Sequence, residues 1–243
     1  MRRLVCFHHA GGGASAFRGW RAALPPGTLH AVQLPGREDR HAEPRHLDLT
    51  PLVDALASEL ADVLAEPHLL FGHSMGALVA YYLARRRVAA GLRPPDRLLV
   101  AASAAPHLDH RLFDAATMSD AELGAALHRI GGIPAELLRR PDWLGPLLAV
   151  VRDDILVCNS HRHTDGPALP CPIDVFGGRH DPLVAEGDLR GWAAHTSAGC
   201  TVTVLDAGHF LVQEPGSGLR DRVFHRAGLA GRHSDTILPA AAR

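Results

Sequence analysis

Along the chain, short continuous apolar runs alternate with longer stretches in which apolar residues recur every three or four positions. The segments 4–7, 30–34, 68–71, 97–101, 172–176 and 201–205 are runs of strand length, bounded by glycine, proline or polar residues. A short run without polar alternation predicts a strand buried on both faces, as in a parallel sheet. Between the runs, Phe17, Trp20 and Leu24 share a helical stripe that begins near Ser15. Thr50 followed by Pro51 predicts a helix start, because proline suits the first helical position. Leu52, Leu56, Leu60 and Leu64 give that helix one apolar face. Further helices are predicted at 77–89 and 189–195. Strands alternating with helices in this way predict an α/β fold with a mainly parallel sheet flanked by helices.

The rhythm breaks between 106 and 170. Helical pieces at 120–129, 134–140 and 144–158 follow one another with no strand between them. Such an insertion predicts a helical cap, or lid, over the C-terminal edge of the sheet. Its apolar positions Leu123, Leu127, Ile130, Leu137, Leu147, Val151 and Ile155 either pack on the main body or line a pocket. Leu127 and Ile130 are the pocket candidates. Residues 1–228 read as one domain and 229–243 as a disordered tail.

Composition narrows the picture. A chain of 243 residues that is 47% hydrophobic and 21% charged can bury its own core. Its formal net charge of -1 sets up no overall field for nucleic acid or an anionic membrane. The 25 basic residues are all arginine, and the 17 histidines should make the chain distinctly cationic below roughly pH 6. No window approaches the ~18 apolar residues of a membrane span, and the N-terminal run is too short for a signal-peptide core. Cys6, Cys158, Cys171 and Cys200 show neither a C-x-x-C pair nor metal-ligand spacing. The expectation is a cytoplasmic protein with reduced thiols, binding neither nucleic acid nor membrane.

Candidate chemistry centres on Gly72-His73-Ser74-Met75-Gly76, placed between a predicted strand and a predicted helix. A turn this tight demands small flanking residues and lifts the Ser74 hydroxyl above the sheet edge, at a helix N-terminus. A serine hydroxyl is a weak nucleophile and needs a base, itself oriented by a third group. His209 follows the last predicted strand and Asp181 the one before it. The order Ser74, Asp181, His209 is that of the α/β-hydrolases. Asp109 also follows a strand and is the rival acid; Asp206 reads as loop-shaping. An oxyanion needs two donors, and the Met75 amide and an amide of the His8-to-Gly13 loop are placed to supply them. That loop is no dinucleotide or phosphate fingerprint, lacking both G-x-G-x-x-G and a terminal Gly-Lys. His8-His9 and His161-x-His163 lack the further ligands a metal site requires.

Several segments together resemble the freestanding type II thioesterases of polyketide and nonribosomal-peptide synthesis, over nearly the whole chain. They are Phe7-His8-His9-Ala10-Gly11-Gly12, Leu34-Pro35-Gly36-Arg37-Glu38, the Ser74 turn extended to Ala77, and Gly178-Arg179-His180-Asp181 with Gly208-His209-Phe210. Two departures stand out. His8 replaces the proline usual in that family, and Val151-Arg152-Asp153-Asp154 stands where its cap commonly carries Arg-Ala-Asp. The resemblance implies an α/β-hydrolase fold with Ser74 as nucleophile, His209 as base and Asp181 as orienting acid. It further implies an oxyanion hole from the Met75 and Ala10 amides, with no cofactor or metal. The implied reaction is hydrolysis of stalled acyl groups from the phosphopantetheine arm of an acyl or peptidyl carrier protein, by a monomer.

The same triad would serve a carboxylester hydrolase or a chain-releasing cyclase or acyltransferase, and a fold relative could act purely as a binding partner. Arg37, and the pair Arg139 and Arg140, are candidates for local recognition of a carrier protein. The alternative is that they are solvated surface charges, or that Arg37 pairs with an internal carboxylate.

Overall fold

Strands that are apolar on both faces need helices on both sides, and the computed structural model, which describes residues 2–108, 115, 117–214 and 216–229, meets that need. Six strands, β1 (Arg3–Phe7), β2 (Leu29–Ala31), β3 (His68–His73), β4 (Arg97–Ala101), β5 (Ile173–Gly178) and β6 (Cys200–Leu205), form one sheet. Their order is β2-β1-β3-β4-β5-β6, and every pairing is parallel. The helices are α1 (Arg18–Ala22), α2 (Leu49–Glu59), α3 (Ala61–Ala65), α4 (Met75–Ala89), α5 (Asp120–Arg129), α6 (Pro141–Ser160), α7 (Glu186–Arg190) and α8 (Leu219–Ala227).

Successive residues of a strand face opposite sides, so the sheet divides the core in two. From β1, Val5 and Phe7 join Leu52, Leu56, Leu78 and Leu83 of α2 and α4. Leu4 and Cys6 join Phe17, Trp20, Val223 and Phe224 beneath α1 and α8. This second core is partly aromatic: the Trp20 ring lies 4.9 Å from Phe71 and 5.7 Å from Phe224, centroid to centroid. The four cysteines are free. Among the described residues no helix is long and apolar enough to cross a membrane.

Residues 106–170 lie between β4 and β5 and carry α5 and α6, as the apolar pattern predicts. Their apolar positions pack chiefly on one another. Leu123, Leu127, Leu144, Leu148, Val151 and Ile155 form a third, separate cluster, with Ile130, Leu137 and Leu147 half-buried against it. Helix α6 ties this cap to the body, because Val157 and Cys158 at its far end belong to the main core.

Local chemistry explains where the elements differ from the sequence reading. Helix α2 is capped by Asp48, whose side chain accepts from the Thr50 amide, so the helix starts ahead of Pro51. Pro51 still sits in the first turn, where no intrahelical partner is needed for its nitrogen. The predicted helix at 134–140 shrinks to one 3-10 turn, Leu137–Arg139. Pro141 follows, and the residue before a proline is pushed out of helical geometry; Arg140 has φ -122° and ψ 75°. The second strand ends at Ala31, short of the expected Leu34. Helix α8 has no counterpart in the sequence reading: its apolar positions Leu219, Val223, Phe224 and Ala227 are interleaved with arginine, aspartate and histidine. Asp109 and the segment 230–243 lie outside the described residues.

Candidate active site

The junction of β3 and α4 is built on two contacts that tolerate no side chain. A Cβ on Gly72 would sit 2.2 Å from the carbonyl oxygen of Gly76, and one on Gly76 would sit 2.3 Å from that of Phe7. Between them Ser74 takes φ 55° and ψ -116°, a backbone conformation that costs about 1–3 kcal/mol unless its surroundings enforce it. They do: the Ser74 amide donates to the Ala101 carbonyl of β4 at 2.8 Å, and its carbonyl accepts from Ala77 at 2.9 Å. The hydroxyl is thereby held at the C-terminal edge of the sheet, where α4 begins.

Two loops from neighbouring strands complete the group. Asp181 follows β5 and His209 follows β6, and their loops meet because Gly178 has no side chain. A Cβ there would lie 2.2 Å from the Gly208 carbonyl oxygen. His209 donates from Nδ1 to Asp181 Oδ2 at 2.8 Å, and its Nε2 accepts from Ser74 Oγ at 3.0 Å. The other carboxylate oxygen of Asp181 accepts from the amides of Leu183 (2.8 Å) and Val184 (3.3 Å). His209 and Asp181 are buried, their side chains 3% and 0% exposed. Asp206 is elsewhere, pairing with His180 at 2.8 Å on the surface. The structure thus joins Ser74, His209 and Asp181 in one hydrogen-bonded chain, in which the histidine can take the serine proton while the carboxylate holds the ring.

The loop after β1 runs directly against the start of α4, since Phe7 and His8 carbonyls touch Gly76. Along it the Gly11 amide donates to Asp154, Gly12 to the His9 carbonyl, Ala14 to Gln33 and Ser15 to Glu38. Neither the Ala10 nor the Met75 amide has an acceptor among the described residues. Two unengaged amides, one of them on the residue after Ser74, are the kind of donor a developing oxyanion requires.

Sequence reasoning left Arg37 on a docking face, as a solvated charge, or paired with an internal carboxylate, and the last of these is what forms. The structure buries it in a bidentate pair with Asp154 of α6, Nη1 to Oδ2 at 2.5 Å and Nη2 to Oδ1 at 2.8 Å. Arg139 and Arg140 are exposed in the cap, close in the chain to the exposed Trp143. Leu127 is buried within the cap's own cluster, and Ile130 is half-buried beside the Gly131-Gly132 turn. That turn rests on the ring of Phe210, the residue after His209.

Sequence reasoning weighed His8 and His9 as metal ligands and did not foresee that they are buried together with His73. His73 donates from Nε2 to the His209 carbonyl at 2.8 Å, and its ring stands 5.0 Å from that of His9. Burial, reinforced by His209, pushes the His73 imidazole down to about 3 from 6.5. Burial likewise holds His8 and His9 below the ordinary value. All three are neutral in the folded protein at pH 7, whereas in the unfolded chain they titrate near 6.5. Between pH 6.5 and 3 the unfolded state therefore binds more protons, and stability falls as pH falls. Thermal melts should show the midpoint dropping steadily across this window, with a shallower drop in His73→Gln; a midpoint that rises on acidification would contradict the assignment.

A Thioesterase domain family model matches residues 2–226. Over 214 residues the chain is 35% identical to a Brevibacillus parabrevis protein named linear gramicidin dehydrogenase LgrE, covering 86% of this chain and 81% of that one. It is 31% identical over 220 residues to thioesterase PikA5 of Streptomyces venezuelae, covering 87% and 76% respectively. Among solved structures it resembles the RedJ thioesterase from the prodiginine biosynthetic pathway of Streptomyces coelicolor. That likeness has a TM-score of 0.86 and 34% identity, over 93% of this chain and 84% of the other.

Proposed function

Because the chain belongs to the thioesterase-domain family and is a thioester hydrolase of the α/β-hydrolase fold, we propose that Ser74, His209 and Asp181 hydrolyse acyl groups carried on the phosphopantetheine arm of carrier proteins in polyketide or nonribosomal-peptide synthesis. The observation that carries this reading is the Ser74–His209–Asp181 chain at 3.0 and 2.8 Å, and the unengaged Ala10 and Met75 amides support it. The dehydrogenase name of the gramicidin relative describes that protein; here the loop after β1 lacks a G-x-G-x-x-G fingerprint.

In this reading Ser74 Oγ attacks the thioester carbonyl carbon as His209 Nε2 takes its proton. The oxygen that becomes negative is met by the Ala10 and Met75 amides. Collapse breaks the carbon–sulfur bond, and the proton on His209 goes to the departing thiolate. A thiol of pKa ~8.5 leaves far more readily than an alkoxide, so activating the attack is the main demand on the triad. Water, giving a proton to His209, then attacks the acyl-serine; the bond to Ser74 Oγ breaks, His209 returns the proton to Oγ, and the acid is released. Asp181 keeps Nδ1 protonated, so that Nε2 is the atom that takes the proton and returns it.

The test is turnover of a matched pair, an acyl-thiol and the corresponding ester, with products identified by mass spectrometry. Thioester preference with free acid as product supports the proposal. Faster ester turnover would make the protein a carboxylester hydrolase, and cyclised or transferred products would make it a releasing or acyl-transfer enzyme.

Carrier recognition is assigned to this exposed part of the cap. Arg139→Glu with Arg140→Glu is expected to raise KM several-fold for an acyl-carrier substrate, less so at high salt, and to leave a small acyl-thiol substrate unaffected. Equal losses on both substrates would mean that the cap's packing, not docking, had been disturbed.

A further inference from the structure

We propose that Asp154, on the cap helix α6, is a positioning residue for the oxyanion hole, and that Arg37 is its counter-charge; the proposal rests on the hydrolase chemistry assigned to Ser74.

The loop after β1 must present the Ala10 amide in one orientation, yet it is rich in glycine and has little intrinsic stiffness. Its rigidity comes from side chains of other segments. Gly11 has φ +78° and lies so close to α6 that a Cβ would stand 2.4 Å from Val151 Cγ2. Its amide donates to Asp154 Oδ2 at 2.7 Å. This bond fixes the peptide between Ala10 and Gly11, and so the direction of the preceding amide. Further along, Gln33 accepts from Ala14 at 2.9 Å and Glu38 from Ser15 at 3.2 Å. The two anchors that follow are thus on the Gln33–Glu38 segment, and the first is on the cap.

A carboxylate beside a developing oxyanion would oppose it. The Arg37 guanidinium, 7% exposed, meets both oxygens of Asp154, 2% exposed, and cancels that charge while leaving Oδ2 able to accept from Gly11. A buried pair of this kind adds little to stability against apolar isosteres, so holding the fold does not by itself account for it. The neighbouring pair, Arg45 with Asp153 at 2.6 Å, also joins α6 to this flank but does not reach the loop. The two pairs therefore separate orienting the amide from attaching the cap.

Two double variants change the acceptor without leaving either charge buried and unpaired. Arg37→Met with Asp154→Leu replaces the pair by apolar groups and removes the acceptor for Gly11. Arg37→Gln with Asp154→Asn keeps a neutral acceptor there. With a small acyl-thiol substrate, the first is expected to lower kcat on the order of 10²-fold with KM within about threefold, as loss of an oxyanion donor does. Affinity for an alkylboronic acid, which forms a tetrahedral adduct on serine, should fall in parallel. The second variant should recover most of both losses, and Asp153→Asn should leave kcat close to wild type.

The proposal is overturned if the folded Met/Leu variant keeps wild-type kcat, if KM rises while kcat holds, or if Asp153→Asn reproduces the loss. Fluorophosphonate labelling of wild-type Ser74 separates the two levels of failure. Labelled, active enzyme with an indifferent Met/Leu variant refutes the positioning role alone. Wild-type enzyme that neither labels nor turns over refutes the serine chemistry, and the positioning role with it.

Discussion

Replacing Ser74 by alanine should abolish acyl-enzyme formation, and His209→Ala should be nearly as damaging. Ser74 Oγ and His209 Nε2 share one hydrogen bond at 3.0 Å, and neither completes the step without the other: alanine at 74 leaves no nucleophile, and alanine at 209 leaves a hydroxyl of ordinary weakness. Groups that act as a unit lose their effect together, so each single variant should fall by about 10³-fold or more, and the double variant little further. Single-turnover assays with an acyl-thiol, read by the mass of the acylated chain, measure this directly. The fold should be indifferent to Ser74→Ala, because the strain at that residue is imposed by Gly72, Gly76 and the bond to Ala101 rather than by the hydroxyl. Near-normal turnover in either variant would remove the triad assignment.

The triad was legible in the sequence for a reason particular to this architecture. In a parallel sheet every strand delivers the following loop to the same edge, so a residue just past a strand is placed near any other residue just past a strand. Reading the strands at 68–71, 172–176 and 201–205 therefore brought Ser74, Asp181 and His209 to one edge, with Asp109 after 97–101 still a rival for the acid. Helix α5 was equally plain, because Leu123, Leu127 and Ile130 recur at helical spacing; the structure adds a reciprocal Ser119–Glu122 cap. Helix α8 was not: its apolar face covers the second core, but its remaining positions are charged and its mean hydropathy is low. The sequence allowed Arg37 an internal carboxylate partner but did not identify Asp154, since the two lie 117 residues apart. The one available signal was that two segments, Leu34-Pro35-Gly36-Arg37-Glu38 and Val151-Arg152-Asp153-Asp154, each held an ionic residue that the triad did not use. Opposite charges left over on either side of a predicted cap are candidates for each other.

Asp181→Asn should lower kcat by roughly 10²–10⁴-fold while leaving the fold intact, and the hydrogen-bond directions say why. Asp181 Oδ1 is held by the amides of Leu183 and Val184, both donors, so an asparagine must keep its carbonyl oxygen there. Its NH₂ group then falls where Oδ2 now accepts from His209 Nδ1 at 2.8 Å. Two donors cannot face each other in a site that is wholly buried. The ring resolves the conflict by giving up its Nδ1 proton and carrying one on Nε2 instead. In that tautomer Nε2–H donates toward Ser74 and can no longer take the serine proton. Substrate contacts are untouched, so KM should change little and the loss should appear in the acylation rate. Asp109, the other acid that follows a strand, provides the comparison: Asp109→Asn should stay within a few-fold of wild type. If Asp109→Asn were the crippled variant and Asp181→Asn the active one, the orienting acid would have to come from the loop after β4, and the Asp181–His209 bond would be structural only.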